Sequence, residues 1–206
     1  MKRREPYVAG NSESCDRIVE AATRLFKRTS FDSVSAEEIA REAGVAHGLI
    51  FHYFGTKARL YEVVSQIAAD NLDRYHVQAT QFEGDPIDRV RAFLSSHMDE
   101  VAKRKVDYVF HSRGGATPAI QAIWENSRLN AIRLIHGFFG RDQLSEELVL
   151  ATRAWLGFYD ELVLAWVQGS RVSRTGIIEA SMELFHASIA NSGLLRPSDD
   201  VRPSID

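Results

Sequence analysis

Between Ser35 and Lys57 the chain reads Ser-Ala-Glu-Glu-Ile-Ala-Arg-Glu-Ala-Gly-Val-Ala-His-Gly-Leu-Ile-Phe-His-Tyr-Phe-Gly-Thr-Lys. The chemistry these residues offer is recognition, not bond-making. On a helix running from about Ala46 to Phe54, Ile50 and either Tyr53 or Phe54 turn inward. That leaves Ala46, His47, Gly48, Leu49, Phe51 and His52 outward. Imidazoles hydrogen-bond base edges or phosphates, apolar side chains touch thymine methyls, and small residues let a helix approach a groove wall. A face of this kind suits a surface that double-stranded DNA covers better than one that water covers. Thr56 then reads as the N-cap of the following helix and Lys57 as its first residue. Free amides and a full positive charge at that corner are expected to grip a phosphate. The expected DNA contacts are therefore Ser35, Ala46, His47, Gly48, Leu49, Phe51, His52, Tyr53, Thr56 and Lys57.

Such a face needs a rigid mount, and the preceding residues describe one. Ser35 and Glu38 form a capping box that fixes a helix start. Ile39, Ala40 and Ala43 fall on one face, and Ala40 is small enough to let a second helix come close. Gly44 sits where the chain leaves the first helix and calls for a positive backbone dihedral, and Val45 plugs the turn. Two short helices joined by a tight turn are how a helix is set into a major groove. An ordinary helical hairpin inside an all-helical enzyme is the competing reading, and it does not require the cap, the small residues, the turn glycine and Thr56-Lys57 together.

The stretch from Arg17 to Val64 resembles the N-terminal DNA-binding domain of the tetracycline-repressor (TetR) family. The resemblance lies in Ile18-Val19-Glu20-Ala21-Ala22, Leu25-Phe26, Ile39-Ala40, Ala43-Gly44-Val45, Ile50-Phe51-His52-Tyr53-Phe54, Thr56-Lys57 and Leu60-Tyr61, about a quarter of the chain. It implies a homodimer on a palindromic operator, repression of transcription, and release by a small molecule bound in the C-terminal domain. It also implies that His47, Leu49, Phe51 and His52 face DNA while Lys57 holds the backbone. Leu49 departs from the polar residue common at its position. Phe51 stands for a frequent Tyr and lacks the hydroxyl that would meet a phosphate, which shifts some grip towards His52 and Tyr53.

The chain of 206 residues has 45% hydrophobic and 26% charged residues and a formal net charge of −3. Split at residue 60, the charge is uneven. The first part holds ten Lys+Arg against eight Asp+Glu, and the remainder fifteen against twenty. The positive excess lies with the motif, as an electrostatic footprint requires. Lys2, Arg3 and Arg4 are candidates for a minor-groove arm or a merely solubilising terminus. No segment reaches the length of a membrane span, the basic start is followed by Glu5-Pro6 instead of an apolar run, and the single cysteine, Cys15, suits a reducing cytoplasm. No membrane partner and a cytoplasmic location are expected.

Helical signals fill the rest. Ser14 is expected to cap the first helix, a long helix starts at Lys57 and runs to near Thr80, and Asp85-Pro86, Thr117-Pro118 and Ser145 each open another. Arg113-Gly114-Gly115, Gly140 and Gly169 interrupt, and a last helix covers roughly residues 175–191. The fold class is all-α, with an N-terminal three-helix DNA-binding domain at 1–56, a larger helical effector-binding and dimerisation domain at 57–195 and a loose tail at 196–206.

The helix from Ser145 to Val167 is apolar around most of its circumference, so it needs neighbours on nearly all sides. A second copy is one answer and the protomer's own core the other. On the first, Trp155, Leu156, Tyr159, Leu162, Trp166, Ile178, Met182 and Phe185 form a dimer interface. An effector cavity is expected from Phe93, Met98, Tyr108, Trp124 and Phe138, with His97, His111 and Arg113 as polar anchors, for a largely apolar ligand with room for a carboxylate. The plainer alternative for these aromatics is core. No cofactor and no metal is expected, since the seven histidines show no ligand spacing. A ligand-responsive repressor is the reading that results. A helical partner-binding module and a helical enzyme are its rivals, and the second lacks any acid–base constellation.

Overall fold

The computed structural model describes residues 12–78, 81, 83–105, 108–109 and 117–190. The elements are α1 (Glu13–Phe26), a short 3-10 turn (Phe31–Ser33), α2 (Ala36–Ala43), α3 (Gly48–Phe54), α4 (Lys57–Gln78), α5 (Pro86–Ala102), α6 (Pro118–Gly137), α7 (Glu146–Val167) and α8 (Arg174–Phe185), which runs on as a π-helical turn (His186–Ala190). The all-α expectation holds, with no strand among the described residues. The basic segment Lys2-Arg3-Arg4, the Arg113-Gly114-Gly115 break and the tail at 196–206 lie outside the described residues.

Helix starts follow local capping. The hydroxyl of Ser35 accepts from the Glu38 amide at 3.0 Å, and the Asp85 carboxylate from the Asp88 amide at 2.9 Å with Pro86 in the first turn. Thr117 and Ser145 cap α6 and α7 in the same way. One cap differs from expectation. Ser12, not Ser14, caps α1, its oxygen accepting from the Cys15 amide at 3.1 Å. Starting there turns Cys15, Ile18, Val19 and Ala22 inward together.

Two cores result. The smaller joins α1, α2 and α3 to the first turns of α4 through Leu60, Tyr61 and Val64, so its boundary runs past residue 56. Ile120 of α6 is buried in this same core, and Trp124 packs on it. The larger core is built from α5, α6, α7 and α8 around Phe93, Trp155, Tyr159 and Phe185. Fully burying side chains of this size is worth about 1.5–3 kcal/mol each. Helix α4 is clamped to α6 by Asp73, which accepts from Ser127 at 2.5 Å and Asn130 at 2.8 Å.

The expected dimer residues fall into two groups. Trp155, Leu156, Tyr159, Met182 and Phe185 lie inside the protomer's own core, and Leu162, Trp166 and Ile178 are half-buried against it. The Trp155 indole donates to the Ser181 carbonyl at 2.7 Å, which fixes that ring between α7 and α8. What α7 leaves outward is a stripe one helical face wide, with Leu150 56% and Phe158 39% exposed and Ala154 between them.

Gly44 closes α2 with φ 62° and ψ 40°. The left-handed region costs a residue with a side chain about 1–2 kcal/mol. A Cβ there would also stand 3.0 Å from the Arg17 guanidinium. Gly44→Ala is expected to lower unfolding stability by about 1–2 kcal/mol, read by urea denaturation; an unchanged midpoint would show the turn to be relaxed.

Candidate nucleic-acid interface and effector cavity

Helix α3 is held from beneath by Ile50 and Phe54, both buried in the small core. Its mount is the α2–α3 turn, and Arg17 of α1 secures that turn by donating through Nε to the Ala43 carbonyl at 2.8 Å and through Nη2 to that of Gly44. Motif reading missed Arg17, because the residue is exposed in pattern and works through backbone oxygens.

Ala46, His47, Gly48, Phe51 and His52 are exposed together on the outer side. His47 and Phe51, one turn apart, meet edge to face with centroids 5.1 Å apart, and His47 Nε2 lies 3.2 Å from the Glu37 carboxylate. A Cβ added to Gly48 would meet nothing within 4 Å, so the glycine answers to no packing demand among the described residues. Leu49 and Tyr53, four residues apart, sit on the flank and are half-buried against the small core. The Tyr53 hydroxyl accepts from Ser12 Oγ at 2.9 Å, which ties α3 to the start of α1.

Lys57 differs most from expectation. Its ammonium donates to the carbonyls of Phe31 and Val34, both at 2.9 Å, and sits 4.1 Å from the centroid of the Phe31 ring. The charge fastens the loop before α2 to the start of α4 instead of standing clear for a phosphate. Thr56 and Ser35 are exposed, and each accepts a capping bond from an amide, Thr56 from that of Arg59 at 3.0 Å.

A cavity of about 260 Å³ opens between α4, α5, α6 and α7. Of the expected effector residues, Phe93, His97, Tyr108 and Trp124 line it. Met98 and Phe138 do not: Met98 is fully buried in the large core, and Phe138 lies under the Arg89 guanidinium. His111 and Arg113 lie outside the described residues. Leu156 and Tyr159, expected at a dimer interface, line the cavity instead.

Sequence reading missed His76, Arg104, Arg128 and Asp160 in the lining. A polar residue set among apolar ones at helical spacing, as His76 after Leu72 and Asp160 after Leu156, is the signal that finds them. The Arg128 guanidinium holds Asp160 at 2.6 Å, and Arg104 faces Glu100 at 3.5 Å. Burial pushes the Asp160 carboxyl up, against the pull of Arg128. Tyr159 donates its phenolic proton to the Leu94 carbonyl at 2.9 Å, so the 2.9 Å contact from His97 Nδ1 is a donation to Tyr159 Oη.

Among the described residues no cluster of three metal-ligating side chains occurs, and no helix is long and apolar enough to cross a membrane. Cys15 is buried, and burial and then Asp16 raise its thiol pKa, which suits an inert thiol.

These elements define a class: a helix-turn-helix domain carried on a helical body with its own cavity. The family profile described as "Bacterial regulatory proteins, tetR family" matches residues 18–64. Residues 18–64 thus match a tetR-family domain, within the described helix-turn-helix unit and the start of α4. The HTH-type transcriptional regulator AcrR of Shigella flexneri is 29% identical over 105 residues, 48% of this chain and 49% of the relative. The chain spans about half the length of the first curated relatives it matches. A solved tetR-family transcriptional regulator from Streptomyces coelicolor is 27% identical with a TM-score of 0.75, covering 88% of this chain and 81% of its own. FadR of Thermus thermophilus, a TetR-family transcriptional repressor solved with lauroyl-CoA, shares the fold at 17% identity and a TM-score of 0.62, covering 84% of this chain and 94% of its own.

Burial of histidines sets a pH response. His76 is pushed down to about 3 by burial, and His136 to about 4 by burial and then Arg141. His97 is held well below its ordinary value, first by burial and then by His76, Arg104 and Arg128. Each takes up a proton on unfolding below its ordinary value of 6.5, so its contribution is whole above that pH and is lost as pH falls. Unfolding free energy is expected to drop by about 2 kcal/mol per histidine between about pH 7 and about pH 5. Equal urea midpoints at the two pH values would show that these rings take up protons in the fold as they do in the unfolded chain.

Proposed function

We propose that the chain is a ligand-responsive transcriptional repressor that binds a palindromic operator as a homodimer in the cytoplasm and leaves it when a small molecule fills the cavity. The observation that carries the DNA-binding half is the outer side of α3. His47, Gly48, Phe51 and His52 are exposed together on a helix whose other side is fixed in a core, and Gly48 has space above it that no packing among the described residues explains. One such helix per subunit enters the major groove, and the two half-sites lie about 34–36 Å apart, or somewhat more. His47, Phe51 and His52 meet bases, while Ala46 and Gly48 allow close approach. Ser35, Tyr53 and Thr56 supply backbone contacts from the rim, and Lys57 acts by holding the loop and α4 in register.

Gly48→Glu separates this reading from a helical partner-binding module. The added side chain has open space and a negative dihedral, so the fold is expected to keep its thermal midpoint. Bulk and negative charge against the groove are expected to lower affinity for DNA upstream of the chain's own gene by about a hundredfold or more, read by gel shift. Undiminished binding would place DNA elsewhere on the molecule.

The second copy docks on the outward stripe of α7, where Leu150, Ala154 and Phe158 follow one another at four-residue spacing. Phe158→Glu is expected to give a folded monomer by light scattering, with operator affinity reduced more than tenfold because the two half-sites are no longer linked. A dimer that persists would move the interface off this stripe.

The effector half rests on the cavity and on two of its neighbours. Trp124 lines it and also packs on the small core, where Ile120 from the same helix is buried. A ligand that displaces α6 acts on the mount of α3 directly, and population of the DNA-binding arrangement shifts by the difference in ligand affinity between the two states. The lauroyl-CoA complex of FadR supports small-molecule binding in a fold of this kind.

A further inference from the structure

Among the described residues, the cavity contains hydrogen-bonding groups left unfinished and charges already answered. His76 of α4 is 4% exposed, and neither ring nitrogen has a partner among the described residues. A neutral imidazole presents one donor and one acceptor. His97, its ring centroid 5.7 Å away, commits the Nδ1 proton to Tyr159 and keeps a lone pair on Nε2. Around them Arg128 is held by Asp160, Arg104 by Glu100, and Glu125 by Arg153. The apolar walls include Phe93 and Trp124.

We propose that the effector is a compact, uncharged aromatic hydroxyl compound, a phenol of one or two rings, whose hydroxyl completes the hydrogen bonding of His76. This rests on reading the cavity as the effector site. A hydroxyl both donates and accepts, and so matches either nitrogen of a neutral imidazole. An aliphatic ligand would leave His76 as it is. Among the described lining residues, a carboxylate would have to draw Arg128 from Asp160 or Arg104 from Glu100, or stay unpaired in a buried site. Size points the same way, because about 260 Å³ lies just below the span of most ligand cavities, which run from about 300 Å³ upward.

The full-length protein is titrated calorimetrically with 2-naphthol, naphthalene and 2-naphthoate, three probes of nearly equal shape. The wild type is expected to bind 2-naphthol at least tenfold more tightly than either of the others, and 2-naphthol to release operator DNA in a gel shift. In His76→Phe the advantage over naphthalene is expected to vanish while naphthalene still binds. Should that variant not fold, the wild-type ranking decides alone. Naphthalene equal to 2-naphthol would remove the role of His76, and 2-naphthoate the tightest would give the site to the arginines. Either result overturns the phenol while leaving an effector cavity. No saturable binding by any of the three would overturn the phenol and leave the effector reading to a ligand of other chemistry.

Discussion

Helix α4 keeps different company at its two ends. Leu60, Tyr61 and Val64 belong to the core beneath the helix-turn-helix, whereas Leu72 and His76, three turns further on, form a wall of the cavity. A helix of 22 residues is about 33 Å long and does not bend without a named cause such as an internal proline or glycine, and α4 contains neither. Its two ends therefore move as one body. Lys57 extends this constraint, because its bonds to Phe31 and Val34 make the loop before α2 follow the start of α4. The position of α3 is thus set from both sides of the domain, by Arg17 through the turn and by Lys57 through the loop.

Helix α6 is the second body tied to both regions. Asp73 joins it to α4 through Ser127 and Asn130, Arg128 joins it to α7 through Asp160, and Ile120 sits in the small core. A ligand among Trp124, Arg128 and His76 touches α4 and α6 at once. No separate relay is needed between cavity and helix-turn-helix, since the elements that enclose one also build the other.

Much of this was legible in the chain because it is local. Asp85-Pro86, Thr117-Pro118, Ser145 and Ser35 mark helix starts through bonds that span three residues, and Gly44 marks a dihedral. The choice between Ser12 and Ser14 was less plain. Two serines offer the same cap, and the inward turn of Cys15 and Ile18 selects between them. What the chain did not disclose is tertiary. Helix α7 is apolar on nearly every side, so its pattern cannot distinguish Trp155 and Tyr159, which face the protomer's interior, from Leu150 and Phe158, which face out. Lys57 shows the same limit from the other direction: the motif displays a charge, and only the fold supplies the two carbonyls that engage it. His76 and Asp160 stood in the apolar period as visible exceptions, and an exception of that kind is a better pointer to a cavity than the aromatics around it.

Cys15 carries a practical consequence. It is the chain's single cysteine, and its side chain is buried in the small core and not in the large one. An alkylating reagent reaches its sulfur only when that core opens. Under conditions where opening and reclosing are fast, the labelling rate reports the free energy of that local event. The protein thus contains its own clock for loosening of the helix-turn-helix, separate from unfolding of the body. A change in labelling rate when DNA or a small molecule is added would put numbers on how tightly the two regions are joined.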